Sequence, residues 1–171
     1  MRYNKIRKMD ISNGPGVRVS IFMQGCAFHC RDCFNPETHD FNGGKEFTAE
    51  TIARVLELCA ADYVQGLSIL GGEPLHPQNL AGSTQLAQAF KQKFPHKTLW
   101  VWSGFLYEDV RQHEIMQYID VLVDGQFKTE QANLMLQYKG STNQRVIDVV
   151  KSQQAGKVIL WEEVKDYDSR N

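Results

Sequence analysis

The clearest pattern in the chain is an alternation of apolar and polar side chains over residues 17–24. Its apolar side consists of Val17, Val19, Ile21 and Met23. An alternation of period two places successive side chains on opposite faces of a strand. The pattern therefore predicts a β-strand that ends just before Gly25.

A helical period follows a turn-forming stretch at residues 41–45. Thr48 is a suitable helix N-cap, and Glu50 places a negative charge in the first turn. Beyond this start, apolar residues recur at helical spacing, namely Ile52, Val55, Leu56 and Cys59. This spacing predicts an amphipathic helix whose buried stripe includes Cys59.

The rest of the chain alternates short apolar runs with helix-like stretches. The runs cover residues 67–70, 99–102 and 121–123, and the helix-like stretches cover residues 85–94 and 108–119. Strands that alternate with helices favour parallel pairing through crossover connections. The runs stop at Gly71, Ser103 and Asp124, which places candidate chemistry at the carboxyl ends of the strands.

Chain length limits how far this α/β pattern can extend. A closed eight-stranded (β/α) barrel needs ~250 residues, whereas this chain has 171. We therefore expect a partial, open (β/α) barrel of roughly four to six mainly parallel strands. Residues 146–150 and 158–161 are candidates for further strands. We expect one domain over residues 1–171, in which residues 151–171 form an extension of uncertain role ending in a frayed tail at 167–171.

The net charge and the length of the apolar runs limit the kinds of molecule that the chain is expected to bind. The formal net charge of −1 provides no basic surplus for nucleic acid or an anionic membrane surface. No apolar run approaches the length of a membrane span, and the first residues lack the apolar stretch of a signal peptide. We therefore expect a cytoplasmic protein that binds neither nucleic acid nor membranes.

Three of the four cysteines form a C-x3-C-x2-C motif directly after the first predicted strand, at Cys26, Cys30 and Cys33. Such clustering without an export signal favours metal or redox chemistry over disulfides. Four thiolates commonly hold an iron-sulfur cluster, but Cys59 is predicted to lie in the core. One iron of a four-iron cluster would then lack a protein ligand, as an open catalytic metal centre requires.

Spacing alone permits a second interpretation of the same cysteines. A structural zinc site needs four ligands, and either His29 or His39 could complete it. The motif by itself does not decide between zinc and a cluster.

A second motif follows the predicted strand at residues 67–70, where Gly71, Gly72 and Glu73 precede a proline. Exposed backbone groups and a carboxylate at a strand end could hold the ammonium and carboxylate groups of an amino acid. The alternative is an ordinary turn, for which Gly and Pro are common punctuation.

Together the two motifs resemble those of the radical S-adenosylmethionine superfamily. Residues 13–18, followed by Phe22 and by Gly25 and Cys26, resemble the entry segment of glycyl-radical-enzyme activases. Residues 71–79, 101–104, 121–127 and 140–146 are similar to the activases that serve anaerobic ribonucleoside-triphosphate reductases. The resemblance covers roughly residues 1–150. Many superfamily members carry an aromatic residue before the third cysteine, where this chain has Asp32.

The resemblance implies a radical S-adenosylmethionine type of open barrel and two cofactors. It implies one 4Fe-4S cluster held by Cys26, Cys30 and Cys33, and S-adenosyl-L-methionine bound beside it. It assigns the methionine moiety to the Gly-Gly-Glu segment, and the adenosine side to Phe34 and the backbone of Asp32 and Cys33. No catalytic residue is expected beyond the cluster ligands.

Two further residues are candidates for cofactor contacts. Ser103 and Asp124 end later strands and could reach the ribose or methionine groups, but Ser-Gly and Asp-Gly are also common turn pairs. Phe34 could instead belong to the core.

The implied activity is reductive cleavage of S-adenosylmethionine and formation of a glycyl radical on the catalytic subunit of an anaerobic ribonucleoside-triphosphate reductase. A low-potential electron donor such as flavodoxin would supply the electron. The alternatives are activation of another glycyl radical enzyme such as pyruvate formate-lyase, radical chemistry on a small molecule, and a non-catalytic zinc or electron-transfer module. Residues 140–146 favour the reductase.

Overall fold

A computed structural model describes residues 1–162, and the predicted tail at 167–171 lies outside this range. One open sheet of seven strands runs through the described residues, in the order β3-β1-β2-β4-β5-β6-β7. The strands are β1 (Arg2–Asp10), β2 (Val17–Gln24), β3 (Lys45–Glu46), β4 (Val64–Gly71), β5 (Thr98–Trp102), β6 (Val121–Asp124) and β7 (Arg145–Asp148).

The centre of the sheet consists of four consecutive parallel strands, β2, β4, β5 and β6, and antiparallel pairs flank it on both sides. The connections carry α1 (Ala49–Cys59), α2 (Pro77–Lys93) and the short α3 (Tyr107–Val110). This order confirms the predicted α/β class and the parallel pairing. Within residues 1–162, no helix has the length and apolar character needed to cross a membrane.

The main core lies between one face of the sheet and the helices α1 and α2. The predicted apolar side of β2 points into it, since Val19, Ile21 and Met23 are fully buried there. Cys59 of α1 is also fully buried in this core, which confirms its predicted place. Thr48 caps α1 as predicted.

The predicted strand number was too low, because β1 and the two-residue β3 were missed. The sequence of β1 contains no regular alternation of apolar and polar residues, and its positions Arg7, Lys8 and Met9 are exposed. It is held by antiparallel pairing with β2, for example Ile6 opposite Ile21. Such pairing depends on a partner strand that a local pattern does not reveal.

Two predicted elements differ from the structure in extent. Residues 108–119 do not form one helix, because α3 ends at Val110 and a separate 3-10 turn covers Glu114–Gln117. The strand predicted at 146–150 ends at Asp148, whose carboxylate accepts a hydrogen bond of 2.9 Å from the Lys151 N–H. This bond caps α4 (Val149–Ala155), since a side-chain oxygen at the N-cap pairs an otherwise unbonded helix N–H. Residues 158–161 contribute one bridge, Leu160 opposite Ile147.

A buried arginine fastens the opposite face of the sheet. The guanidinium of Arg18 donates to Ser68 Oγ at 2.7 Å, to Leu67 O at 2.8 Å and to Thr98 O at 2.9 Å. It also lies 5.6 Å from the centre of the Trp100 ring. Burial lowers the pKa of Arg18 to about 10, and these bonds compensate its lost hydration. Arg18 thereby joins β2, β4 and β5.

We predict that Arg18→Ala lowers the free energy of unfolding by about 3 to 5 kcal/mol, because it creates a cavity and leaves buried carbonyl groups unpaired. Urea unfolding of the apoprotein measures this loss. The control is Arg54→Ala, which removes an exposed ion pair with Glu57 on α1 and should cost about 1 kcal/mol or less. Equal losses for both variants would contradict the clamping role of Arg18.

Candidate functional site

A cavity of about 140 Å³ opens at the carboxyl ends of the parallel strands. Most of the predicted site residues line it, namely Cys26, Cys30, Cys33, Phe34, Gly71, Gly72, Glu73 and Ser103. Two other predicted site residues, Asp32 and Asp124, do not line this cavity. The structure therefore brings the cysteine motif and the Gly-Gly-Glu motif to one place, as expected for strand ends in an open α/β sheet.

The cysteine motif lies in an irregular loop over residues 25–35, here called the cysteine loop. Its start is anchored because the N–H of Gly25 donates to Thr38 O at 2.8 Å and that of Cys26 to His39 O at 3.1 Å. Further along, His29 and Asp32 have φ of 46° and 55°, a backbone region that non-glycine residues rarely adopt. The cysteine loop thus needs support from its surroundings.

All four cysteines are free thiols. Burial raises the pKa of the Cys26 and Cys33 thiols, and it raises that of Cys59 to about 12. Within residues 1–162, no three Cys, His, Asp or Glu side chains are grouped as ligands of a single ion. A 4Fe-4S cluster distributes its thiolates over different irons, so its ligands need not converge on one point.

The Gly-Gly-Glu segment is bonded directly to the residues that precede Cys26. The N–H of Gly72 donates to Met23 O at 2.9 Å, and the N–H of Glu73 donates to Gly25 O at 2.8 Å. A Cβ atom on Gly72 would lie 2.5 Å from Gly25 O, and Gly71 has φ of +108°. The glycines are therefore required for the ends of β2 and β4 to approach each other.

Sequence reasoning missed Asn79, which completes this junction. The side chain of Asn79 is almost fully buried in the first turn of α2, and its Nδ2 donates to Gln24 O and Glu73 O, both at 3.0 Å. A polar residue early in a helix ordinarily lies in solvent. The burial of Asn79 depends on tertiary packing, which the sequence does not reveal. The only sequence feature that pointed to a role for Asn79 was its place at the end of the motif at residues 71–79.

The carboxylate of Glu73 links β4 to β5. One oxygen accepts hydrogen bonds from Ser103 Oγ at 2.8 Å and from the Leu75 N–H at 2.9 Å, and the other accepts from the Gly104 N–H at 2.7 Å. Burial raises the pKa of Glu73 to about 7, although these three donors oppose the shift. Ser103 and Glu73 are thus direct partners. Their predicted contacts with a cofactor remain predictions.

Asp124 is bonded within the protein. Its carboxylate accepts from the Tyr107 N–H at 2.8 Å and from Arg145 Nε at 3.0 Å, and Arg145 also pairs with Glu108. These bonds hold the first residue of α3 and join β6 to β7. A cofactor contact by Asp124 also remains a prediction.

Phe34 is 62% exposed, so the alternative that it belongs to the core is wrong. Its ring lies 5.1 Å from that of Phe127, which follows β6. Phe28 forms another part of the wall and contacts Phe105 with a centroid distance of 4.9 Å. Sequence reasoning assigned no role to Phe28 or Phe127, because neither lies in a periodic apolar pattern.

Comparisons with known proteins agree with this geometry. Residues 12–147 match a family model described as a 4Fe-4S single cluster domain, so the chain has the domain of that class of iron-sulfur proteins. Curated relatives define the family more narrowly. One from Enterobacteria phage T4 is 38% identical over 146 residues, covering 85% of this chain and 93% of the relative. One from Escherichia coli K12 is 35% identical over 150 residues, covering 85% and 97%.

Both relatives carry the name anaerobic ribonucleoside-triphosphate reductase-activating protein, as does one from Vibrio cholerae that is 37% identical over 148 residues, covering 84% of this chain and 96% of the relative. The chain belongs to the family of anaerobic ribonucleoside-triphosphate reductase-activating proteins. The resemblance seen in the sequence is thereby confirmed.

We predict that Glu73→Gln destabilises the apoprotein by about 1 to 3 kcal/mol, because the amide must turn one N–H group toward a backbone or hydroxyl donor. Chemical unfolding measures the change. The control Glu130→Gln alters an exposed glutamate and should change stability by less than about 0.5 kcal/mol. A Glu73→Gln variant as stable as this control would show that the bonds between β4 and β5 do not support the site.

Proposed function

We propose that this chain activates an anaerobic ribonucleoside-triphosphate reductase by placing a glycyl radical on its catalytic subunit. The observation that carries the proposal is the shared cavity, in which three free thiols face the Gly-Gly-Glu segment. Its relatives' names supply the target. The chemistry is reductive cleavage of S-adenosylmethionine at a 4Fe-4S cluster.

The donor set fits a cluster with three protein ligands. Cys26, Cys30 and Cys33 line the cavity, whereas Cys59 is fully buried in the core between the helices and the sheet. The backbone carbonyl of Cys59 accepts a hydrogen bond from Lys97 Nζ at 2.7 Å, which holds this end of α1 in place. Cys59 is thus separate from the cavity, and a 4Fe-4S cluster held by the other three thiolates would have one iron without a protein ligand.

A 4Fe-4S cluster held by Cys26, Cys30 and Cys33 would supply one electron for the reductive cleavage of the carbon–sulfur bond of S-adenosylmethionine, whose products would be methionine and the 5′-deoxyadenosyl radical. Hydrogen abstraction from a glycine of the reductase would then yield 5′-deoxyadenosine and the glycyl radical. A low-potential donor such as flavodoxin would return one electron to the cluster. We place these steps in the cytoplasm.

The protein's own groups orient the reactants. We assign Gly71, Gly72 and Glu73 to the methionine moiety, chiefly through backbone groups, since both oxygens of the Glu73 carboxylate already accept hydrogen bonds. Ser103 supports this segment through Glu73. We assign the adenosine side to Phe34, whose exposed ring borders the cavity, and to the backbone of Asp32 and Cys33.

Asp124 has a supporting place in the proposal, because it holds β6 beside the cavity through Arg145. We assign the open sheet to a partial barrel of the radical S-adenosylmethionine type, and its four consecutive parallel strands, β2, β4, β5 and β6, support this assignment. The open side of such a barrel admits a substrate that is itself a protein. We assign no catalytic residue beyond the cluster ligands.

We predict that Cys26→Ala, Cys30→Ala and Cys33→Ala each abolish retention of the cluster, whereas Cys59→Ala retains it. Anaerobic reconstitution followed by iron and sulfide analysis should find about four irons per wild-type or Cys59→Ala chain, and almost none in the other three variants. Loss of the cluster in Cys59→Ala alone would contradict the assignment of ligands.

We also predict direct hydrogen transfer from the partner. Reductase labelled with dideuterated glycine should place deuterium in 5′-deoxyadenosine when mixed with the reduced, cluster-loaded activase and S-adenosylmethionine. Mass spectrometry measures the label, and reductase with unlabelled glycine is the control. Abundant but unlabelled 5′-deoxyadenosine would exclude a glycine of this partner as the hydrogen donor.

A further inference from the structure

A long loop between β6 and β7 lies beside the cysteine loop. It covers residues 125–144 and is here called the β6–β7 loop. Its two ends lie next to each other, because Asp124 and Arg145 are paired in the sheet. Connections longer than about 12 to 15 residues with little regular structure of their own are uncommon in compact domains and are often functional. This loop contains only a short 3-10 turn, Thr129–Gln131, and one isolated bridge. One residue of this loop, Tyr138, packs against Trp100 in the smaller apolar cluster.

The β6–β7 loop has a defined internal structure. Ala132 pairs with Ser141 in an antiparallel bridge. At its base, Gln144 Nε2 donates to Gly125 O at 2.9 Å and Gln144 Oε1 accepts from the Gly140 N–H at 2.8 Å. One side chain thus joins both ends of the loop. A loop closed in this way can hold a neighbouring segment in place.

This loop contacts the cysteine loop inside the metal-binding motif. Thr129 Oγ1 donates a hydrogen bond of 2.7 Å to the carbonyl of Arg31, which lies between Cys30 and Cys33. A longer bond of 3.4 Å runs from Gln126 Nε2 to the carbonyl of Phe28, between Cys26 and Cys30. The segment between Cys26 and Cys30 and the segment between Cys30 and Cys33 therefore each accept a hydrogen bond from the β6–β7 loop.

The cysteine loop needs these external bonds. Its internal backbone bond from Cys33 N–H to Cys30 O is long, at 3.3 Å. The residue after Arg31 is Asp32, whose positive φ is unfavourable for a side chain with a Cβ atom. Such a conformation persists only where the surroundings enforce it. The Thr129 hydroxyl provides a short bond at the adjacent carbonyl.

We propose that Thr129 is a positioning residue for the cluster: its hydroxyl holds the Arg31 peptide so that Cys30 and Cys33 keep the separation that the cluster requires. The inference rests on the proposed function for the identity of the metal group. Thr129 does not touch the cluster and acts through the backbone of the cysteine loop. The β6–β7 loop thereby forms part of the cluster-binding machinery.

The test compares Thr129→Val, which loses the hydroxyl at nearly constant shape, with Thr129→Ser, which keeps it. The control is Thr142→Val in the same loop. Among the described residues, the hydroxyl of the exposed Thr142 makes only a 3.4 Å contact with Gln131 and none with the cysteine loop. Two readouts are needed. One is the rate of iron loss to a chelator under anaerobic conditions, and the other is hydrogen–deuterium exchange over residues 26–35 in the apoprotein.

We expect Thr129→Val to lose iron about fivefold faster than wild type, the factor that corresponds to one neutral hydrogen bond, and to exchange faster over residues 26–35. Thr129→Ser and Thr142→Val should match wild type in both readouts. The proposal is overturned if Thr129→Val matches Thr142→Val, or if Thr129→Ser fails as Thr129→Val does. Failure of the wild-type chain to bind a cluster would count against the proposed function, whereas exchange in the apoprotein still decides the role of Thr129.

Discussion

The site depends on one buried junction, in which Glu73 and Asn79 hold the ends of β2, β4 and β5 together. The Glu73 carboxylate bonds to Ser103 and Gly104 beyond β5, while its N–H bonds to Gly25, the residue before Cys26. Asn79 bonds to both sides of the junction from α2. Because Glu73, Asn79 and Ser103 are buried, breaking one of their bonds leaves a partner unsatisfied at considerable cost. The position of the cysteine motif relative to the Gly-Gly-Glu motif is therefore well determined.

The two faces of the sheet serve different purposes. Helices α1 and α2 cover one face and form the main apolar core. Arg18 and Trp100 occupy the other face below the cavity, where Trp100 also contacts Tyr138 and Trp161 at centroid distances of 5.1 and 5.6 Å. This second cluster covers part of the other face, and the cavity at the strand ends remains open. A site that acts on another polypeptide requires such access.

The sequence predicted the features that local pattern determines. The alternation in β2, the buried stripe of α1 and the two motifs were all visible, and the motifs do meet at one cavity. The sequence did not predict β1, because the charged residues Arg7 and Lys8 interrupt any apolar pattern in this strand, which is held by pairing with β2. Nor did it predict Asn79 or Thr129, since their roles depend on carbonyl groups of residues that are distant in sequence or lie in another loop. Local periodicity carries no information about such contacts.

The most direct test of the account is the electron paramagnetic resonance spectrum of the reductase after anaerobic incubation with this protein, S-adenosylmethionine and a reductant. A glycyl radical retains one α-hydrogen, so the account predicts a doublet that grows with incubation time. The doublet should be absent when Cys30→Ala replaces the wild-type protein. A cluster-loaded, reduced sample that consumes S-adenosylmethionine without producing this doublet would contradict the proposed activity on the reductase.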